Sequence, residues 1–144
     1  MGKGIRGRAR HLTLIEGGAG MERDLNPGHY LNLDDDFTAR GIAIDPLPAT
    51  REEYDTALRQ VGSNEYQDGF LLYAIVDGWL QLQKDFGYWR AAAAMERHAA
   101  NAKDRVWFKA DRLRREALIL RDLGYWSHFV ADASQPMHVS IHYD

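Results

Sequence analysis

His128, Asp132 and His138 lie in the segment WSHFVADASQPMHVSIHYD, with types and spacing that suit metal binding. Residues four apart on a helix project from one face, so the His128 imidazole and the Asp132 carboxylate can reach a common point. Ser134-Gln135-Pro136 then turns the chain, because proline cannot continue a helix, and His138 can approach from outside it. Two imidazoles and a carboxylate form a donor set for zinc, which takes nitrogen and oxygen ligands with few geometric demands. The chain has no cysteine, so thiolate metal sites, disulfides and cysteine nucleophiles are excluded together. Spacing alone leaves a hydrogen-bonded His–Asp pair on a helix surface as open as a metal site.

Long helices must position these side chains. The 144 residues suffice for one domain, and a formal net charge of −3 gives no general attraction to polyanions. No apolar run approaches the ~20 residues a membrane helix needs. Residues 1 to 20 are rich in Gly and Arg without a clear period, and predict a loose arm; their apolar run, Leu12 to Ile15, is too short for a signal sequence. Residues 21 to 144 read as the folded part. Turn signals at Asn26-Pro27-Gly28, Asp45-Pro46 and Pro48 predict an ordered loop region up to Thr50, which caps a helix to about Val61 carrying Tyr54, Leu58 and Val61. A second helix is expected from about Tyr66 to Phe86, its set Leu72, Ile75, Val76, Trp79, Leu80 and Leu82 wide enough to be largely buried. Gly87 is the expected break before helical residues 88 to 103. A last helix runs from about Asp104 to Ala133, with Val106, Leu113, Ala117, Leu120, Leu123 and Phe129 as its apolar positions and Pro136 as its stop. No strand-like alternation is present. The fold class is all-α, a bundle of long helices with the metal site at helix ends and loops.

Other chemistry-bearing residues have plainer readings. His98 has no carboxylate at metal spacing, and Asp34-Asp35-Asp36 lacks the glycine and distal glutamate of a calcium loop. RLRRE at 112 to 116 is a solvated helix face. Asp77 divides evenly between a solvated position and an acceptor for a ligating imidazole.

HFVADASQPMH resembles the His-x-x-x-Asp-x-x-x-Pro-x-His signature of the zinc-dependent phospholipase C and single-strand nuclease superfamily, helical enzymes with a three-zinc cluster. GHYLNLD, Gly28 to Asp34, is similar to the family's upstream His-aromatic element, and GFLLYAIVDGWLQL to the helix between the two in the nuclease branch. The resemblance implies that His29, His128 and Asp132 hold one zinc, with Asp132 also bridging to a second and orienting the attacking water. His138 would begin the third site. Tyr30 would stack a substrate base, or merely pack beside a ligand, and Asn32 stands where the family often has Asp. The implied chemistry is zinc-assisted hydrolysis of phosphodiester bonds in single-stranded DNA or RNA, with 3′-nucleotidase activity.

Departures from the pattern qualify that expectation. The family's N-terminal Trp and nearby His have no counterpart except His11, its upstream Asp has only Glu16 and Asp24 as stand-ins, and its last ligands would lie past His142. A truncated member of a secreted or periplasmic lineage, binding at best one zinc with impaired activity, is the reading these gaps favour. Two alternatives stand beside the nuclease: a phospholipase C acting on phospholipid, and a non-catalytic helical domain retaining a relic metal site.

Overall fold

The computed structural model describes residues 26–142. The expected arm at 1 to 20, with His11 and Glu16, lies outside them, as does Asp24. The described residues are mostly helical, and the fold is all-α.

A 3-10 turn, Asn26–His29, opens the described chain. It leads through an extended stretch to a minimal antiparallel hairpin, β1 (Thr38–Ala39) and β2 (Ile42–Ala43), paired Thr38 to Ala43 and Ala39 to Ile42. Arg40 and Gly41 both take positive φ, 56° and 80°, as a two-residue hairpin turn requires. Strands of two residues are too short to leave an alternation in the sequence.

Helix α1 (Arg51–Gln60) begins at Thr50 as its capping residues predict: the Glu53 N–H donates to Thr50 Oγ1 at 3.1 Å, and the Thr50 N–H donates to Glu53 Oε2 at 3.3 Å. Tyr54 and Leu58 are buried, while Val61, placed on the same apolar face by its spacing, ends the helix and is 54% exposed. A single turn, α2 (Glu65–Asp68), follows, capped by Asn64. Helix α3 (Leu71–His98) and helix α4 (Ala102–Ala133) then pack antiparallel as a long hairpin.

The structure moves the expected helix break from Gly87 to Gly69. Gly69 holds φ +81°, and a Cβ there would sit 2.0 Å from the Tyr30 carbonyl oxygen, so only glycine fits. Gly87 meets nothing within 4 Å and lies inside α3. A helical glycine costs only about 1 kcal/mol relative to alanine, less than an intact long helix gains by packing.

The α3–α4 interface is a narrow seam. Leu82, Asp85, Trp89, Ala92 and Glu96 recur on α3 at alternating steps of three and four, as do Ile119, Asp122, Trp126 and Phe129 in the facing series on α4, with Arg112 one heptad before Ile119. Much of the seam is polar. Trp89 Nε1 donates to Glu116 at 3.0 Å, Arg112 bonds Glu96 at 2.7 Å, and Trp126 Nε1 donates to the Ile75 carbonyl at 3.0 Å. The expected breadth of burial is therefore corrected: Val76, Trp79, Leu80, Val106, Leu113, Leu120 and Leu123 are all exposed, as is Ala117.

The main apolar core lies at one end of the hairpin, where Leu31, Ala39, Tyr54, Leu58, Phe70, Leu71, Tyr73 and Phe129 meet. A polar clamp borders it. Arg40 and Ser63 both bond the buried Asp68 carboxylate, and Arg51 forks onto Glu65 at 2.5 and 2.6 Å. These clamps fix the hairpin and α1 against α2, while the backbone around His29 is held by the Phe70 N–H donating to the Pro27 carbonyl at 2.8 Å and the Asn32 N–H donating to the Asp68 carbonyl at 2.7 Å.

Candidate metal centre

His29 ends the first 3-10 turn, and its ring packs on the core ring of Phe129 in α4, with centroids 4.9 Å apart. Gly28 fits against Phe70, Ala74 and Phe129, where a Cβ would meet the Phe70 ring at 3.2 Å. That close approach seats the turn on the α3–α4 hairpin. His29 Nδ1 lies 2.9 Å from Asp132 Oδ2 and 3.2 Å from His128 Nε2, and His128 Nε2 lies 3.3 Å from the same carboxylate oxygen. Three ligand atoms thus form a closed triangle, joining residues 103 and 99 positions apart in sequence. His29 and Asp132 are buried, and the His128 side chain is 55% exposed, so the triangle has one open side toward solvent.

This geometry suits a cation. Ligand atoms on neighbouring corners of a tetrahedral site are ~3.3 Å apart when the metal–ligand bonds are about 2.0 Å. The triangle's sides are 2.9, 3.2 and 3.3 Å. Two ring nitrogens and one carboxylate oxygen thus lie close enough together to be shared by one ion. A group of His29, His128 and Asp132 can therefore hold a metal ion.

His138 sits beside this triangle and not in it. Its turn, Pro136–His138, follows Pro136 as the sequence predicts. The ring's Nδ1–H donates to the His29 carbonyl at 2.7 Å, and the Leu31 N–H donates to the His138 carbonyl at 2.8 Å. Spacing pointed to His138 as the third donor converging with His128 and Asp132. Tertiary packing puts His29 there, because the helix end and the first turn share one core. His138 instead locks the His29 backbone, and its Nδ1–H bond leaves the lone pair on Nε2.

The two expected substrate contacts have structural partners. The Tyr30 hydroxyl donates to the Tyr66 carbonyl at 2.8 Å, and Asn32 Nδ2 donates to the Gln67 carbonyl at 2.9 Å. Both side chains tie the stretch after His29 to α2. His142 pairs with Asp35 at 2.9 Å on the surface, His98 is exposed at the end of α3, and neither joins the triangle.

A cavity of about 400 Å³ opens between α3 and α4 next to this group, sharing Gly28 and Phe129 with its surroundings. Phe70, Tyr125 and Trp126 supply aromatic walls, and Asp77 lies here near Arg51 instead of beside a ligating imidazole. The sequence offered no sign of this cavity, since its wall comes from four separated segments. The chain matches no family model, no curated protein and no solved structure.

Proposed function

We propose that His29, His128 and Asp132 bind zinc, and that the protein hydrolyses phosphodiester bonds in single-stranded nucleic acid. The observation that carries this reading is the closure of the His29–His128–Asp132 triangle around one point. The resemblance of HFVADASQPMH and GHYLNLD to the phospholipase C and nuclease superfamily supports zinc over other cations, as does the nitrogen-rich donor set. Bound zinc supplies Lewis acidity toward water and toward phosphoryl oxygens.

The chain's own residues do the positioning. His29 Nδ1 and Asp132 Oδ2, 2.9 Å apart, would be neighbouring ligand atoms on the ion. His138 holds the His29 carbonyl and so limits the ring's movement. The exposed side of His128 is the side open to an extended phosphodiester. The adjoining cavity with Tyr125 and Trp126 offers ring faces to a base, a sequence-tolerant contact. A phospholipase C remains the second reading, because the same cavity has apolar walls at Phe70 and Phe129 that accept an acyl chain.

Competition with a chromophoric zinc chelator tests the metal. One zinc per chain is expected, with affinity reduced about 100-fold or more in His29→Ala and Asp132→Ala. Binding that survives both substitutions sinks the site assignment. Hydrolysis of single-stranded DNA against phosphatidylcholine by the zinc-loaded chain then separates the two enzymatic readings. Zinc binding with no turnover of either substrate favours the relic domain.

A further inference from the structure

A helix must bury one side, yet α3 and α4 bury little beyond the seam they share. Beside that seam, on one flank, α3 carries Val76, Trp79 and Phe86, and α4 carries Leu113, Leu120, Leu123 and Val130. All seven are exposed, from 37% at Val130 to 69% at Leu120. Their steps of three and seven keep them on the same side of each helix. The antiparallel register is fixed by Trp89 meeting Glu116 and by Gly78 lying against Trp126. That register sets Val76 level with Val130, Trp79 near Leu123, and Phe86 near Leu120, so the two rows form one apolar strip across both helices. The opposite flank holds the cavity and the metal group, through Ala74, Asp77 and Gln81 of α3 and Tyr125, His128 and Asp132 of α4.

We infer that this strip is the interface of a homodimer, in which a second copy lays its own α3–α4 strip against the first and completes a four-helix bundle. The area supports this occupant. Seven half-exposed large side chains present on the order of 600 Å² of apolar surface, at the upper end of what a monomer's largest patch carries. Burying the strip on both copies removes roughly 1,200 Å², which reaches the size of a specific interface. A two-fold pairing is self-complementary and closed, so it stops at two copies. Four helices joined through a shared apolar centre also supply what the polar seam lacks, a continuous core from Val76 and Val130 to Phe86 and Leu113. Both metal groups face away from the interface and stay open to solvent. The inference is independent of what the metal group does.

Sedimentation equilibrium of the full chain over about 1 to 200 μM tests it, in the range where interfaces of this size associate. A dimer is expected for the native sequence. Leu113→Glu combined with Leu120→Glu should weaken association by about 100-fold or more while helical circular dichroism is retained. Leu118→Glu, on the cavity flank, should leave the dimer intact. A monomer across the range overturns the inference, as does open-ended assembly or a monomer that binds vesicles through this strip. Should the double variant lose helix content, the absence of native cysteine permits a second measurement. A flexible bismaleimide should cross-link copies carrying Leu120→Cys faster than copies carrying Leu118→Cys, and equal rates overturn the proposal.

Discussion

The two ends of the α3–α4 hairpin are built on different physics. At the metal end, the first turn, α1 and α2 close over the helices, and Tyr54, Leu58 and Leu71 are completely buried. At the far end, two helices meet along a seam in which Trp89, Glu96, Arg112 and Glu116 are joined by hydrogen bonds and ion pairs. Such partly exposed pairs contribute little stability, whereas each buried large apolar side chain contributes about 2 kcal/mol. The metal end can therefore hold three ligand atoms within 3.3 Å of one another. The far end provides length.

The sharpest way to break this comparison is to change one glycine at each end. Gly69→Ala forces a Cβ against the Tyr30 carbonyl at positive φ, and should cost about 4 kcal/mol in urea unfolding. The displaced Tyr30 backbone adjoins His29, so zinc affinity should fall with it. Gly87→Ala meets open space inside α3, and should instead raise stability by about 0.5–1 kcal/mol. Equal effects at the two positions would refute the contrast.

Leu58→Ala removes a wholly buried side chain from the core, and a loss of about 3 kcal/mol is expected from chemical denaturation. Hydrogen exchange should sharpen the same point. Amides in the stretch from about residue 88 to 115 should exchange before those of 71–82 and 119–133, because few apolar contacts hold the far end.

The smallest effect is one of pH. Partial burial of Asp55 opposes its ionisation, but the hydrogen bonds from the Glu65 N–H and from Arg59 outweigh it and hold the carboxyl below its ordinary range. A group lowered on folding contributes stability above its unfolded pKa and loses it as pH falls through the folded value. Asp55→Asn should therefore cost about 1 kcal/mol at neutral pH and nearly nothing in strong acid. A constant difference between the two conditions would count against this role.

Much of the architecture was legible in residue types. Thr50 with Glu53, the 3.6-residue recurrence, and Pro136 marked helix ends because capping and proline chemistry are local. Gly69 and Gly87 were not distinguishable in sequence, since what separates them is the Tyr30 carbonyl, delivered from a distant segment. The width of the buried face was also overestimated. Val76, Trp79 and Leu120 have helical spacing, but spacing records which side of a helix is apolar and not whether anything covers it.

For the site, the sequence by itself determined the chemistry available: no thiol, and a His128–Asp132 pair that helix geometry must place on one face. It did not decide the third donor. Within its own segment His138 was the natural choice, and only the likeness of GHYLNLD to a known element pointed to His29. Tertiary structure made that choice by seating Gly28 against Phe70 and Phe129, which brings His29 to Asp132 across 103 residues and sets His138 behind it. Donor types are a property of the residues themselves, but convergence depends on packing, and only the folded chain supplies it.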